Sequence, residues 1–509
     1  MAERKPNIIY ILQDHQAYFG HGLYKGGVMP KRPCFEAFAD TGISFSQARC
    51  VTPMCGPARR TMLTGLYPHN HKQVHNENDP PYDDEVILDS LYENGYRNYY
   101  YGKWHAGPGD ARDHHCEGFS YTSYGNPYIT PEYEDYLKKN NLPPASHHVE
   151  YAFMTDSYVS QGYFHGLKAG ADYSCRTGWC GEHAVGITTT PKETHEAFFL
   201  AHLAMDRLEE LSRTESDRPF MLQVHFWGPH QPFFPTEEFA SMYKPEDIGE
   251  YPSFRDDLKG QPDVFRMELS HPMTEDGEWI KVPSALPWSD WQKILARCYA
   301  HITMIDAAGG MIVDKVRELG LDDNTLIIWA TDHGDAIASH GGHFDKNSHM
   351  SEEVMRVPYA MSWKGVIAPH QSDDHLVFTC DTAPTMMDAA GLSFRKGCDG
   401  QSLLPLARGE KCGWRNSLMC ESYGHGYGCT IISRLVYKDG CKYVVTEHDL
   451  EQLYDLGKDP YEMNNLSQDP AFFPKRDELR DELRKLMKSS RDTVDPDWLI
   501  SSARKTYEE

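Results

Sequence analysis

The 509-residue chain is 40% hydrophobic and 25% charged, an ordinary globular balance with material for a large core, and its formal net charge is −25. That charge argues against nucleic acid, whose binding runs on phosphate contacts, and requires any anion site to be locally basic. No apolar run approaches the ~18 residues of a bilayer span, so no membrane partner is expected.

The early apolar run Ile8–Leu12 is too short for an export-signal core. Thirteen scattered cysteines, an odd number, fit reduced thiols better than a disulfide framework. The expected compartment is the cytoplasm; Cys175 and Cys180 would pair only in an exported protein.

In chain order, Asn7–Leu12 (NIIYIL) reads as a buried strand of a parallel sheet. It runs into Gln13, Asp14 and His15, at the carboxyl end where open α/β sheets place ligands. Asp14 is a ligand candidate there, or the cap of the next turn. Residues 33–45 read as a short amphipathic helix and a strand.

Cys55-Gly56-Pro57-Ala58-Arg59 follows, with helical character after the proline. This sets Cys55 at a helix N-terminus beside Arg59, where positive potential would depress its pKa and make it a nucleophile. A buried, inert thiol is the alternative.

Leu88–Glu93 reads as a helix and Tyr96–Tyr101 as a strand running into Lys103 and His105, which point the same way if the chain stays extended. Residues 106–190 show little periodicity and read as a long insertion over the site. Next come a helix over 193–211, a strand over 220–226 ending at His230, and a Pro-rich excursion over 236–285. A helix over 288–319 and the strand Thr325–Ala330 then lead into Thr331, Asp332, His333, Gly334 and Asp335. His340, His343, Asp345 and Lys346 crowd the Gly-rich loop beyond. A strand over 357–363 and a helix over 381–390 close the pattern.

Alternation of strands and helices predicts an α/β fold with a large, mainly parallel mixed sheet flanked by helices over residues 1–408. Residues 409–509 read as a smaller α+β domain with short strands and a charged helix burying Leu479, Leu483, Leu486 and Met487. Asn465-Leu466-Ser467 fits a glycosylation sequon, without an export signal to support it.

Asp14, Lys103, His105, His230, Asp332 and His333 all follow strands that a parallel sheet would end on one side. Asp14 and Asp332 suit a hard cation, and His333 also admits manganese or zinc. A cation, a nucleophile and several cationic side chains together describe hydrolysis of a sulfate or phosphate ester.

The chain resembles the type I, formylglycine-dependent sulfatases of the alkaline phosphatase superfamily. The resemblance rests on NIIYILQD, CGPAR with the following LTG, GYRNYYYGKWHAG, GPHQP, ATDHGD, the Lys346 loop through Arg356-Val357-Pro358, and YDLGKDPYEMNNLS. It implies an alkaline-phosphatase-like fold and a sulfatase that releases inorganic sulfate, with a sulfated carbohydrate the expected substrate. It implies that Cys55 is oxidised to formylglycine by a maturation enzyme. One hydroxyl of the aldehyde hydrate would then attack sulfur and the other would expel sulfate.

By the same resemblance, Arg59 holds the formylglycine, Lys103 and Lys346 bind sulfate oxygens, His105 is the base and His230 assists the departing alcohol. Asp14, residue 55, Asp332 and His333 bind the metal, expected to be calcium. His15 stands where many relatives have a second aspartate and His333 where many have asparagine, which admits Mn²⁺ or Mg²⁺. Both departures resemble phosphonate monoester hydrolases and choline sulfatases, so phosphonate or phosphodiester hydrolysis is the runner-up. If Cys55 stays unmodified, the third reading is a non-catalytic sulfoglycan-binding protein.

Overall fold

The computed structural model describes residues 5–18, 27–122, 127–152, 169–174, 184–214, 217–266, 282–284, 286–346, 349–425 and 430–504. An eight-stranded sheet forms its centre. In chain order its strands are β1 (Asn7–Asp14), β2 (Ile43–Phe45), β3 (Arg97–Lys103), β4 (Cys116–Tyr121), β5 (Phe220–Pro229), β6 (Thr325–Thr331), β7 (Tyr359–Ser362) and β8 (Gln371–Asp373). Across the sheet the order is β8-β2-β7-β6-β1-β5-β3-β4. All run parallel except β7, which is antiparallel to both its neighbours.

The mixed, mainly parallel sheet agrees with the reading from sequence. β1 shows why an unbroken apolar run was the right signal. Ile8, Tyr10 and Leu12 enter the core on one face and Ile9 and Ile11 the core on the other. A strand covered on both faces has no polar side to present. The long helix Trp288–Glu318 covers one of those faces, contributing Trp291, Ile294, Leu295, Ile302 and Ile305.

Three expectations need correction. The insertion after Gly107 is not an irregular loop. It supplies the edge strand β4, the helix Pro131–Lys139 and a small antiparallel sheet of Ser146–Ala152, Asp172–Ser174 and Ala184–Thr188. A glycine inside β4 and strands this short leave little periodicity to detect.

The helix bearing Cys55 spans Cys55–Thr64, so it begins two residues before the proline rather than at it. Pro57 lies in the first turn, where a missing N–H costs nothing. Gly65 closes that helix in the left-handed region, with φ 68°.

Lys103 and His105 also do not lie on one extended segment, because His105 adopts φ 46°. Gly102, at φ 118°, sits against the next strand so closely that a Cβ would come within 2.0 Å of the His225 carbonyl oxygen. Only glycine fits there, and this sets the path of Lys103.

A separate antiparallel sheet of Ser417–Ser422, Ser433–Lys438, Cys441–Thr446 and Gln452–Asp455 follows. Helix Phe473–Ser489 packs on it through Leu479, Leu483 and Met487, with Leu486 half-buried. The amide of Asn465 donates to the Glu451 carbonyl, so this side chain braces a turn. The ten described cysteines are free thiols; Cys175 and Cys180 lie outside the described residues. No described helix is long and apolar enough to cross a membrane.

His69 ties the two parts together, with Nδ1 2.6 Å from Glu421 Oε2 and Nε2 3.0 Å from the Ser490 carbonyl. Burial works against charge on His69, but Glu421 outweighs it and raises the imidazole above its ordinary value. The pair therefore stabilises the fold fully below the unfolded pKa of ~6.5, and that contribution is lost as pH rises through the higher folded value. The stability difference between wild type and His69→Gln, read from denaturant melts at several pH values, is expected to shrink as pH rises. A constant difference would contradict it.

Candidate active site

β1, β3, β5 and β6 all deliver their C-terminal ends to one edge of the sheet. Asp14 is the last residue of β1 and Lys103 the last of β3; His230 follows β5, and Asp332 and His333 follow β6. The Cys55–Thr64 helix points its N-terminus at the same place. Asp14, Cys55, Asp332 and His333 are fully buried, and one potential ligand atom of each lies within 4.8 Å of the others. Cys55 Sγ is 3.0 Å from His333 Nε2 and 3.6 Å from Asp14 Oδ1.

Arg59, one turn along from Cys55, organises the carboxylates. Its Nη2 donates to Asp14 Oδ2 at 3.0 Å, its Nε to Asp332 Oδ2 at 3.0 Å, and its Nη1 to the Lys103 carbonyl at 3.1 Å. Lys103 Nζ donates to Asp14 Oδ2 at 2.6 Å. Burial opposes charge on Asp14, but Lys103 and then Arg59 hold its carboxyl well below the usual range. Burial likewise opposes charge on Arg59, and Asp332 and Asp14 outweigh it. Both ions are thus present in a dry site.

The donor set fits a divalent cation. Asp332 Oδ1 is aimed by the backbone N–H groups of His15 at 3.0 Å and His333 at 2.9 Å. His333 Nδ1 lies 2.9 Å from the Gly334 carbonyl, which can only accept, so Nδ1 carries the proton and Nε2 faces the cluster with its lone pair. Burial also pushes the His333 pKa down, which keeps the imidazole neutral. Two carboxylates, one imidazole and residue 55 make a mixed set that suits Ca²⁺, Mn²⁺ or Mg²⁺.

The thiol itself departs from expectation. Burial and then Asp14 push Cys55 up to about 12, against the lowering effect of Lys346 and Lys103. The helix N-terminus does not yield a thiolate here, and an unmodified Cys55 is a poor nucleophile.

His105, His230 and Lys346 belong to the same electrostatic neighbourhood. Burial, Lys103 and Arg59 press His105 well below the ordinary imidazole range; burial, His15 and Lys346 do the same to His230. Lys346 Nζ is 3.3 Å from Asp345 Oδ1.

His340 and His343 are not drawn in. His340 pairs with Glu353 at 3.1 Å, and His343 meets His349 with ring centroids 4.5 Å apart.

Several neighbours complete the site; the sequence reading named His15 without its contacts, and did not single out Tyr100, His225 or His425. His15 adopts φ 64° and sets Nε2 3.3 Å from Asp345 Oδ1 and 3.4 Å from Asp335 Oδ1. Its ring meets those of His230 and His333 at 4.6 and 4.9 Å. Tyr100 and His225 brace the Arg59 side, with the Tyr100 hydroxyl 2.8 Å from His225 Nδ1 and 2.6 Å from the Lys103 carbonyl. From the C-terminal part, His425 Nε2 comes 3.8 Å from Asp345 Oδ2. An available signal was the pair of polar residues, Gln223 and His225, inside a buried and otherwise apolar strand.

Residues 6–392 match the sulfatase family, and residues 339–489 match the C-terminal region of N-sulphoglucosamine sulphohydrolase. An N-acetylglucosamine-6-O-sulfatase of Bacteroides thetaiotaomicron is 21% identical, aligned over 97% of this chain and 88% of that protein. The phosphonate monoester hydrolase of Agrobacterium radiobacter shares the fold, with TM-score 0.74 at 20% identity over 96% of both chains. So does a structure solved in complex with D-glucosamine-2-N,6-O-disulfate, with TM-score 0.69 at 18% identity over 97% of this chain and 99% of that one. With the family model matching residues 6–392, most of its length, the chain belongs to the sulfatase family, the sulfuric ester hydrolases of the alkaline phosphatase superfamily.

Proposed function

We propose that this sulfatase acts on a sulfated carbohydrate, with Cys55 converted to formylglycine by a maturation enzyme and a divalent cation, Ca²⁺ before Mn²⁺ or Mg²⁺, held by Asp14, residue 55, Asp332 and His333. The observation that carries the reading is the meeting of those four buried side chains, with one guanidinium locking both aspartates. The names of the relatives support a sugar: one acts on N-acetylglucosamine-6-O-sulfate, and another was solved with a disulfated glucosamine.

The cation and the formylglycine hydrate together supply a nucleophilic oxygen for sulfur and a second hydroxyl through which the aldehyde is regained. The side chains do the rest. Lys103 and Lys346 neutralise sulfate oxygens. Arg59 helps keep Asp14 ionised and holds both aspartates in place. His105, neutral by burial, has a lone pair to accept a proton. His230 is neutral in the free site. A bound sulfate raises its proton affinity, so it is charged by the substrate it serves.

His333 as the last donor keeps phosphonate monoester hydrolysis as a second reading. Steady-state kinetics on fully formylglycine-modified enzyme separate the two. Expected is a kcat/KM for an aryl sulfate exceeding that for an aryl phosphonate monoester by more than about tenfold, with turnover of at least one member of a panel of sulfated monosaccharides. A larger value for the phosphonate overturns the sulfate assignment.

A further inference from the structure

Among the described residues, three more groups of His, Cys, Asp or Glu come close enough to hold a metal. Two of them are already neutralised. In the His69, Glu421 and Asp492 group, Arg434 donates to Asp492 and lies 3.5 Å from Glu421. In the His340, Glu353 and Glu462 group, Lys442 pairs with Glu462 at 2.5 Å.

The third is different. His195 caps the helix Glu196–Arg213, Glu196 is its first residue, and His301 projects from the middle of Trp288–Glu318. All three are buried, and a ligand atom of each lies within 4.8 Å of the others. His195 Nδ1 is 3.0 Å from Glu196 Oε2, and the rings of His195 and His301 meet edge-on at 5.4 Å. No lysine or arginine pairs with Glu196 among the described residues.

His301 is 1% exposed, and neither of its ring nitrogens has a hydrogen-bond partner among the described residues. Leaving a buried polar group unsatisfied is destabilising.

We propose that His195, Glu196 and His301 form a second, structural metal site that takes a divalent transition ion of the zinc class. Two imidazoles and one carboxylate are a zinc-type set; a hard cation such as Ca²⁺ seeks oxygen alone. The ion would clamp two helices beside β5, the strand that His230 follows. A Cβ on Gly228 would stand only 3.2 Å from His301 Nε2, so this cluster abuts the floor of the active site. The role is positional, and no step of sulfate-ester hydrolysis passes through it.

The test is a metal count on full-length protein stripped with chelator, reloaded with Zn²⁺ and desalted. Wild type is expected to hold one equivalent more than either His301→Leu or Glu196→Gln. The second variant keeps the side-chain shape and an oxygen to accept from the Tyr128 hydroxyl, which donates to Glu196 Oε2, should the first fail to fold. Loaded with Co²⁺ instead, wild type is expected to show visible bands of a four-coordinate site that both variants lack. Equal metal content in wild type and both variants overturns the site. The difference is read with residue 55 in the same state in all three proteins and needs no turnover, so it stands apart from the substrate assignment.

Discussion

Cys55→Ala is expected to fold and to lose hydrolysis of every sulfate ester, by about 10⁴-fold or more. The side chain is wholly buried and 3.0 Å from His333, so it occupies the point where distant segments meet. Burial and Asp14 push the thiol up to about 12, so a thiolate is disfavoured there. The proposed formylglycine at this position would carry the activity.

Cys55→Ser sharpens the test. A single hydroxyl can attack sulfur but has no second hydroxyl to expel the sulfate, so the protein is expected to stall after one turnover, heavier by about 80 Da. Mass spectrometry of the protein after exposure to substrate reads this directly. Sustained turnover by either variant would remove residue 55 from the chemistry.

Arg59→Leu should be the most damaging single change to stability near the site. It strips Asp14 and Asp332 of the guanidinium they share and leaves Lys103, paired with Asp14, as the ion-pair partner of that aspartate among the described lysines and arginines. Removing one partner from such a network costs about 3–5 kcal/mol, expected in chelator-treated protein by denaturant unfolding. Bound metal should recover part of it, because a divalent cation takes over the compensating charge. Arg59→Lys keeps the charge but loses the fork that spans both carboxylates, so an intermediate loss is expected. An Arg59→Leu protein as stable as wild type without metal would contradict the account.

The parts of the molecule legible from sequence are those where one strong local signal decides the outcome. β1 and β6 are buried on both faces, so their apolar runs announced a central parallel sheet, and the polar residues after each run announced the site. The CGPAR motif placed Cys55 and Arg59 on one helix.

What stayed hidden depends on burial and long-range charge. The raised pKa of Cys55 follows from the missing water and from Asp14, forty-one positions away in sequence, whereas a helix N-terminus alone argues the other way. His15, Tyr100, His225 and His425 take their roles from partners brought in by folding. The left-handed backbone at His105 falls on a residue that is not glycine, between Gly102 and Gly107. β4 went unseen because a short edge strand, partly exposed and with a glycine in it, lacks the unbroken apolar run that identifies the central strands.

The most direct measurement is an anomalous difference map from crystals of Mn²⁺-loaded, formylglycine-modified protein. The account predicts a peak within coordinating distance, about 2.0–2.6 Å, of Asp14, Asp332, His333 and residue 55. A crystal whose only bound manganese lies away from those four side chains, in enzyme that still turns over sulfate esters, would contradict it.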